Sequence, residues 1–341
     1  RYAVSLCTCM SDEEVEAKLA EIPHVDYDRI GERMHVELVY VNCDENADAA
    51  KFTALVEKAK GLGRTLILGC TDPEIAKAAL EVCKDGKPVL NGANASNYEA
   101  MSKVATDAGV VLGVSGKDIN ELYDTTAAIE KLGNKNLVLD TTGADIKETF
   151  ANTVQVRRAA LKDQDRTFGY PSIVNLVKIA KGDLHLQAAL ASMFTMKYGS
   201  IIVMEQMTYA EALPLYGLRQ NVYTDPQKPM KVEPGIYPLN GADENAVVVT
   251  TVDFALTYFV VSGELERSGV PLNLVINDAG GLSVLTSWAA GKFSGNSISS
   301  YIKENVEPKV KSRKLIIPGK VAVLKGDLEA KLPGWRSEER R

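Results

Sequence analysis

The residues from Asn277 to Ser294 have the types and the spacing best suited to binding chemistry. They follow an apolar run and lead into a helical pattern. Gly280 and Gly281 remove side chains where the chain turns, so a ligand can approach the backbone. Free N–H groups at the start of the helix, with Ser283 nearby, can bind carbonyl, amide or phosphate oxygens. A glycine-rich turn that only allows close helix–sheet packing has the same pattern, so both interpretations stay open.

Small residues continue along this predicted helix. Thr286, Ala289 and Ala290 keep one side of it small, so a flat and bulky partner can lie there. The segment lacks the G-x-G-x-x-G spacing of a dinucleotide site, and Gly291-Lys292 lacks the upstream glycine of a P-loop. The ligand class is therefore not fixed by a known phosphate-binding motif.

Two other predicted strand ends belong to the same region. One ends at Thr251 and is followed by Asp253 and Thr257, and the other ends at Pro318-Gly319. Ligands of open α/β sheets lie beyond the carboxyl ends of the strands. We therefore expect Thr251, Gly280 and Gly319 to line one crevice.

Cysteine and histidine, the usual nucleophiles and metal ligands, lie elsewhere. All five cysteines fall in the first quarter of the chain without a CxxC pair, which predicts ordinary thiols rather than a disulfide framework or a closed metal site. The three histidines are His24, His35 and His185. Since none follows residue 185, a Ser–His–Asp hydrolase is poorly supported, and any metal held by the later region must come inside its own macrocycle.

The bulk composition excludes several function classes. A net charge of −6 with scattered basic residues argues against nucleic-acid binding. The most apolar stretch, residues 246–261, contains Asp253 and is shorter than the roughly 20 residues that cross a bilayer as a helix. We expect a cytoplasmic protein with no membrane contact. The first residue is Arg1 rather than Met, which predicts a further N-terminal piece.

The length of 341 residues suits two domains. In the first two-thirds, short apolar runs alternate with helical patterns, which predicts a (β/α)8 TIM-like barrel. The predicted strands are residues 35–41, 65–69, 88–91, 110–114, 136–140, 171–176, 200–204 and, with the poorest pattern, 220–223. The predicted helices include residues 49–59, 74–82, 98–108, 119–131 and 146–160.

Several of these strands end in polar or small residues, including Asn42, Asp72, Asn91, Asp140 and Glu205. Barrels place their sites at this carboxyl-terminal face, so the face is expected to bind something polar. The alternative is that these residues cap the following helices.

Residues 224–238 contain four prolines and predict an irregular connector, either a hinge or a fixed strap. The α/β pattern restarts after it, with predicted strands at 246–251, 272–277, 314–317 and 321–324 and helices at 254–268, 281–290 and 296–305. The sequence thus predicts a barrel over residues 1–230 and a small doubly wound, Rossmann-like domain over residues 231–341.

Long segments of this sequence resemble one family. They are residues 218–229, 232–237, 281–294, 314–319 and 332–335, and they closely resemble the large (gamma) subunit of the corrinoid/iron–sulfur protein of the acetyl-CoA (Wood–Ljungdahl) pathway. The resemblance implies a barrel followed by a corrinoid-binding domain. It also implies an N-terminal domain with a 4Fe-4S cluster, which this numbering does not contain.

The resemblance further implies a cobamide cofactor, held base-off without a protein histidine. Thr286 is similar to the family's residue under the lower face of the cobalt. The cofactor-binding residues implied are Thr251, Thr257, Gly280, Gly281, Leu282, Ser283, Val284, Leu285, Thr286, Ala289, Gly291, Pro318 and Gly319. No catalytic side chain and no protein metal ligand are expected, because the cobalt itself is the nucleophile.

The function implied is that of a methyltransferase component that acts as a methyl carrier. It accepts a methyl group from methyl-tetrahydropterin (methyltetrahydrofolate) on Co(I) and delivers it to acetyl-CoA synthase. The partners implied are the small subunit, in a heterodimer, methyltetrahydrofolate methyltransferase, and acetyl-CoA synthase/CO dehydrogenase. Two alternatives remain: a pterin-binding barrel methyltransferase, and a non-catalytic assembly subunit.

Overall fold

The computed structural model describes residues 1–29, 32–223 and 230–340. The chain forms two compact units, one made of Arg1–Tyr27 with Met34–Val222 and the other of Asp28–Arg33 with Tyr223–Arg341. The domain limits 1–230 and 231–341 stay a prediction. Residues 224–229 of the connector, on which the hinge hypothesis rests, lie outside the described residues.

The first unit is a closed barrel of eight parallel strands, as predicted. In chain order, the strands up to residue 204 are β1 (Tyr2–Cys7), β2 (Asp26–Arg29), β3 (Glu32–His35), β4 (Leu38–Asn42), β5 (Thr65–Gly69), β6 (Val89–Ala93), β7 (Val111–Val114), β8 (Leu137–Asp140), β9 (Ser172–Asn175) and β10 (Ile201–Met204). The barrel order is β1-β10-β9-β8-β7-β6-β5-β4, and β4 closes it onto β1, while β2 and β3 pair separately.

The predicted eighth strand, residues 220–223, was wrong. The eighth barrel strand is β1, a fully buried run at the start of the chain. Residues 220–222 instead end a helix that buries Leu215, Tyr216 and Gln220. Together with the buried Ala212 they lie at i, i+3, i+4 and i+8, which is a helical pattern that the short window 220–223 was too narrow to show.

Helices follow most barrel strands. They are α1 (Asp12–Glu21), α2 (Ala49–Lys60), α3 (Pro73–Cys83), α4 (Tyr98–Ala108), α5 (Ile119–Lys131), α6 (Ile146–Lys162), α7 (Leu176–Ala180), α8 (Leu184–Met196) and α9 (Tyr209–Val222). Aspartates cap several of them. Asp72, for example, accepts the N–H groups of Glu74 and Ile75 at 2.8 and 3.1 Å. At this strand end the capping interpretation therefore holds.

The second unit contains a five-stranded sheet. Its strands are β11 (Gly235–Leu239), β12 (Val247–Val252), β13 (Leu272–Asn277), β14 (Lys314–Pro318) and β15 (Arg336–Arg340), in the order β11-β13-β12-β14-β15. Among these described strands, β11 alone is antiparallel to its neighbour. The helices are α10 (Ala255–Arg267), α11 (Val284–Ala289), α12 (Gly295–Tyr301) and α13 (Lys325–Lys331).

Both faces of this sheet are covered. Val249 packs with Leu265 of α10 in one apolar cluster, whereas Val248 packs with Ile298 of α12 and Leu328 of α13 in another. Successive residues of a strand face opposite sides, so α10 lies on one face and α12 and α13 lie on the other. The assignment of this unit as a Rossmann-like corrinoid-binding domain stays a prediction.

Three predictions for this unit need correction. Residues 321–324 belong to a short 3-10 helix, Gly319–Leu324, and β15 takes the place of the predicted fourth strand. The helix predicted from residue 281 begins at Val284. The connector was predicted to be irregular, yet its end forms β11, where Pro238 is tolerated because an edge strand has one side without a ladder partner.

The cysteine prediction was wrong for one pair. Cys7 and Cys9 form a disulfide, and their Cα atoms lie 5.1 Å apart, within the range that a disulfide spans. The chain turns as it leaves β1 and brings the two side chains together, which the spacing alone did not indicate. Cys43, Cys70 and Cys83 are free thiols.

Candidate functional site

The second unit contains a cavity of about 760 Å³. It begins beyond the carboxyl ends of the neighbouring strands β12 and β14 and continues along α10. The lining residues are Val249, Thr250, Thr251, Leu256, Thr257, Val260, Val261, Glu264, Leu265, Ser268, Ser283, Val284, Leu285, Ile316, Ile317, Pro318, Gly319 and Lys320. The position follows from the strand order, because the crossovers from β12 and β14 diverge at this point.

The structure places the predicted binding residues in two groups. Thr251, Thr257, Ser283, Val284, Leu285, Pro318 and Gly319 line the cavity. Gly280, Gly281, Leu282, Thr286, Ala289 and Gly291 do not line it. Thr286 lies next to it, since its hydroxyl is 2.9 Å from that of the lining residue Ser283. Participation of both groups in ligand binding stays a prediction.

Thr251 presents the clearest polar feature of the cavity wall. It is only 1% exposed, and its Oγ1 has no hydrogen-bond partner among the residues that the structure describes. The Oδ1 of the neighbouring Asn277 is also buried and finds no partner within the described parts of the chain, although the Asn277 Nδ2 donates to Thr250 Oγ1 at 2.5 Å. Buried polar atoms are nearly always paired, so a ligand that reaches Thr251 would gain a hydrogen bond that the protein leaves open.

The rim of the cavity is apolar. Leu256 and Val260 of α10 are 64% and 59% exposed, and Leu285 of α11 is also exposed. These side chains adjoin the lining threonines, so the site offers hydroxyl groups inside and hydrocarbon at the entrance. Glu264 and Lys320 add one charge of each sign. This combination suits a large ligand with a broad apolar face and polar substituents.

Asp253 shapes the glycine loop that leads to Ser283, a role that the sequence interpretation missed. Its carboxylate is fully buried and accepts the N–H groups of Ala279 and Gly281, with all three N–H···O distances at 3.0 Å. The N–H of Gly281, where the helix was predicted to begin, is therefore not available to a ligand. The signal was present as the one acidic residue within the apolar run 246–261.

The two glycines of this loop are required by backbone conformation. Gly280 and Gly281 have φ values of 67° and 72°, which other residues adopt only with strain. The positive φ values alone therefore explain why glycine occurs at both positions. Room for a ligand stays a second, separate hypothesis.

Within residues 1–29, 32–223 and 230–340, no three His, Cys, Asp or Glu side chains lie close enough together to hold a metal ion. Over the same ranges, no helix combines the length and apolarity that a bilayer crossing requires.

Fold and cavity together define a barrel protein with a second α/β unit that contains a cavity, and comparison with known proteins identifies its family. The model of the CO dehydrogenase/acetyl-CoA synthase delta subunit family matches residues 2–340. The chain belongs to this family.

Curated relatives agree with the resemblance found in the sequence, which is confirmed. The chain is 37% identical to the corrinoid/iron-sulfur protein large subunit of Moorella thermoacetica, over 98% of this chain and 74% of that protein. It is 34% identical to the acetyl-CoA decarbonylase/synthase complex subunit gamma of Methanopyrus kandleri, over 96% of this chain and 72% of that protein. Among solved structures, dihydropteroate synthase from Thermus thermophilus is similar with a TM-score of 0.49 and 17% identity, covering 65% of this chain and 94% of that one.

Proposed function

We propose that the second unit binds a cobamide and that the chain serves as a corrinoid methyl carrier. The observation that carries this proposal is the cavity of about 760 Å³ with the unpartnered Thr251 hydroxyl in its wall. It occurs in a chain 37% identical to a corrinoid/iron-sulfur protein large subunit.

The residues present fit such a cofactor. A corrin ring has a broad apolar face edged with amide side chains. The hydroxyl groups of Thr251, Thr257 and Ser283 can hydrogen-bond to amides, and Leu256 and Val260 can cover hydrocarbon.

The chemistry of methyl transfer belongs to the cofactor, whose reduced cobalt is a strong nucleophile when bound. The protein supplies position. Asp253 fixes the loop before Ser283, and the rim of Leu256, Val260 and Leu285 keeps water from one side of the ligand. No side chain has to donate or remove a proton, because a methyl group moves without one.

The wider assignment goes beyond the names of the relatives and rests on the resemblance found in the sequence. A methyl-tetrahydropterin, with its methyltetrahydrofolate methyltransferase, would donate the methyl group, and acetyl-CoA synthase/CO dehydrogenase would receive it. The small subunit of the same protein would form a heterodimer with this chain. A 4Fe-4S cluster would be carried on an additional N-terminal domain, and the compartment would be the cytoplasm.

A labelled-methyl assay tests the proposal. The chain is loaded with cobamide, reduced, and mixed with labelled methyltetrahydrofolate and the methyltransferase. Label should appear on the protein in roughly equal proportion to bound corrinoid and should leave it when acetyl-CoA synthase is added. Label that turns over without corrinoid would favour a pterin-binding barrel methyltransferase instead. A chain that takes up neither corrinoid nor label would favour an assembly subunit.

A further inference from the structure

The Cys7–Cys9 disulfide lies where β1 ends, at the carboxyl-terminal end of the barrel. Cys7 is the last residue of β1 and pairs in register with Asn42 of β4. Thr8, between the two cysteines, donates its backbone N–H to the carbonyl oxygen of Asn42 at 3.1 Å. The Thr8 hydroxyl accepts the N–H of Asp44 at 2.8 Å. Thr8 therefore fixes the loop to the neighbouring strand end without help from the S–S bond.

A disulfide of such short span adds little stability to the fold. The two cysteines have a sequence separation of 2. The stabilisation that a disulfide provides grows with the length of the loop that it closes, so a loop of this size gains little. Exposed disulfides are typically the labile, regulatory or catalytic ones. Chemistry therefore explains this bond better than stability does.

The two sulfur atoms of the bond differ in access. Cys9 is exposed, whereas Cys7 is only 9% exposed. Thiol–disulfide exchange begins when a thiolate attacks one of the two sulfur atoms, and access decides which one is reached. An external thiolate therefore reaches Cys9 Sγ, and Cys7 Sγ is the sulfur that leaves.

The surroundings of Cys7 stabilise the negative charge that it acquires on leaving. The backbone N–H of Cys9 donates to Cys7 Sγ at 3.2 Å, and the Asn42 Nδ2 donates to the same atom at 3.6 Å. Hydrogen bonds to an ionised acceptor are stronger than those to a neutral one, so both contacts strengthen as the S–S bond breaks. A stabilised thiolate is also the faster leaving group.

The free cysteines provide a contrast within the same chain. Burial raises the pKa of the Cys43 thiol, that of Cys70 to about 12 and that of Cys83 to about 11. A raised pKa leaves little thiolate near neutral pH, and the thiolate is the form that exchanges. These thiols are therefore poorly suited to the reaction, unlike the exposed sulfur of Cys9.

We propose that Cys7–Cys9 is a reversible thiol–disulfide exchange site that takes two electrons from a dithiol reductant. One thiolate of the reductant attacks Cys9 Sγ, a bond forms between these sulfurs, and the Cys7–Cys9 bond breaks with Cys7 leaving as a thiolate. The second thiolate of the reductant attacks its partner sulfur in this mixed disulfide and releases Cys9. The reductant becomes a cyclic disulfide, and its two thiol protons end on Cys7 and Cys9. The site does not depend on corrinoid binding.

A series of redox buffers tests the site on the wild-type protein. The full chain is equilibrated without oxygen in thiol–disulfide buffers that run from oxidised glutathione to reduced dithiothreitol. It is then quenched with acid, labelled with a thiol-specific mass tag and mapped by peptide mass spectrometry. Cys7 and Cys9 should gain the label together, in one two-electron transition. A pair that is labelled in every buffer, or in none of them while the protein is native, overturns the proposal.

A matched pair of variants tests the direction of attack. Cys7→Ser leaves the exposed sulfur of Cys9, and Cys9→Ser leaves the enclosed sulfur of Cys7. With oxidised glutathione, the mixed disulfide should form at Cys9 about tenfold faster or more than at Cys7. Circular dichroism shows whether both variants are folded. Equal rates in folded variants, or faster reaction at Cys7, overturn the proposal, and if a variant does not fold, the buffer series alone decides.

Discussion

Both carboxylate oxygens of Asp253 accept the backbone N–H of Gly281, each at 3.0 Å. Asp253 directly follows β12, and Gly281 lies in the loop after β13, so this contact joins the carboxyl ends of two neighbouring strands. The same carboxylate holds Ala279. One buried acidic side chain thus fixes the loop that enters the candidate site.

We expect substitution of Asp253 to loosen that loop. Asp253→Ala leaves the N–H groups of Ala279 and Gly281 buried without acceptors, which should lower the free energy of unfolding by about 1–3 kcal/mol for each unpaired group. Urea unfolding measures the loss, and corrinoid titration should show weaker binding. Asp278→Asn is the control, because Asp278 accepts the exposed loop N–H of Gly280. Equal stability of Asp253→Ala and wild type would contradict this role.

Filling the cavity should remove ligand binding without unfolding the protein. Val260→Trp places a large ring at a lining position that is already 59% exposed, so the fold can accept it. We expect at least a tenfold loss of corrinoid affinity with little change in melting temperature, since surface substitutions away from special features are usually worth within about 0.5 kcal/mol.

The matched control is Val323→Trp. Val323 is similarly exposed, at 71%, and does not line the cavity. The account requires the two tryptophan variants to differ in corrinoid affinity, measured by absorption titration. Equal affinities in both would mean that the cavity is not the binding site.

Barrel packing leaves no room for a side chain at Gly92. A Cβ there would lie 1.9 Å from the carbonyl oxygen of Cys70, which belongs to the backbone and cannot rotate away. Gly92→Ala should therefore destabilise the protein by about 1–3 kcal/mol, as overpacking does. Gly86→Ala serves for comparison, because nothing lies within 4 Å of its added methyl group. The melting temperature of Gly92→Ala should be clearly lower than that of Gly86→Ala. The reverse order would contradict the close packing of Gly92 against the Cys70 carbonyl.

Alkaline pH should destabilise the fold through Cys70. Burial raises the pKa of its thiol from 9.0 to about 12. Above pH 9 the unfolded chain loses this proton while the folded chain keeps it, so the free energy of unfolding falls as pH rises from 9 to about 12. One proton accounts for at most about 1.4 kcal/mol per pH unit.

Cys70→Ser isolates this contribution, because a serine hydroxyl does not ionise in that range. Chemical unfolding at several pH values gives the free energy of unfolding of each protein. Below about pH 8 the difference in this free energy between wild type and variant should be constant. Above about pH 9 it should change, because the wild type alone loses stability through Cys70. If the free energies of unfolding of the two proteins run parallel over the whole pH range, Cys70 does not titrate as its burial implies.

The sequence was sufficient to predict helices and strands wherever the local apolar pattern and the capping residues agree. Helices α4 and α5 were predicted with their observed ends, and β13 was predicted at Leu272–Asn277, because apolar spacing and terminal Gly, Asp or Asn residues mark these elements. Seven of the eight barrel strands were found for the same reason.

Other features depend on contacts distant in sequence. Asn91 and Asp140 meet only through barrel closure, since 49 residues separate them. Likewise, Asp253 reaches Gly281 across two strand ends, and no local pattern marks that contact. Residues 321–324 read as a strand because they are apolar, yet the sheet takes β15 in their place, and tertiary pairing overrides local propensity.

Corrinoid titration followed by visible absorption tests the central claim most directly. Purified protein is mixed with increasing amounts of cobamide, freed of unbound cofactor and scanned before and after reduction with a low-potential donor. We expect saturation near one corrinoid per chain, a base-off spectrum that shifts to the Co(I) form on reduction, and loss of uptake in Val260→Trp. A protein that stays colourless, or that retains corrinoid equally well with the cavity filled, would contradict the account.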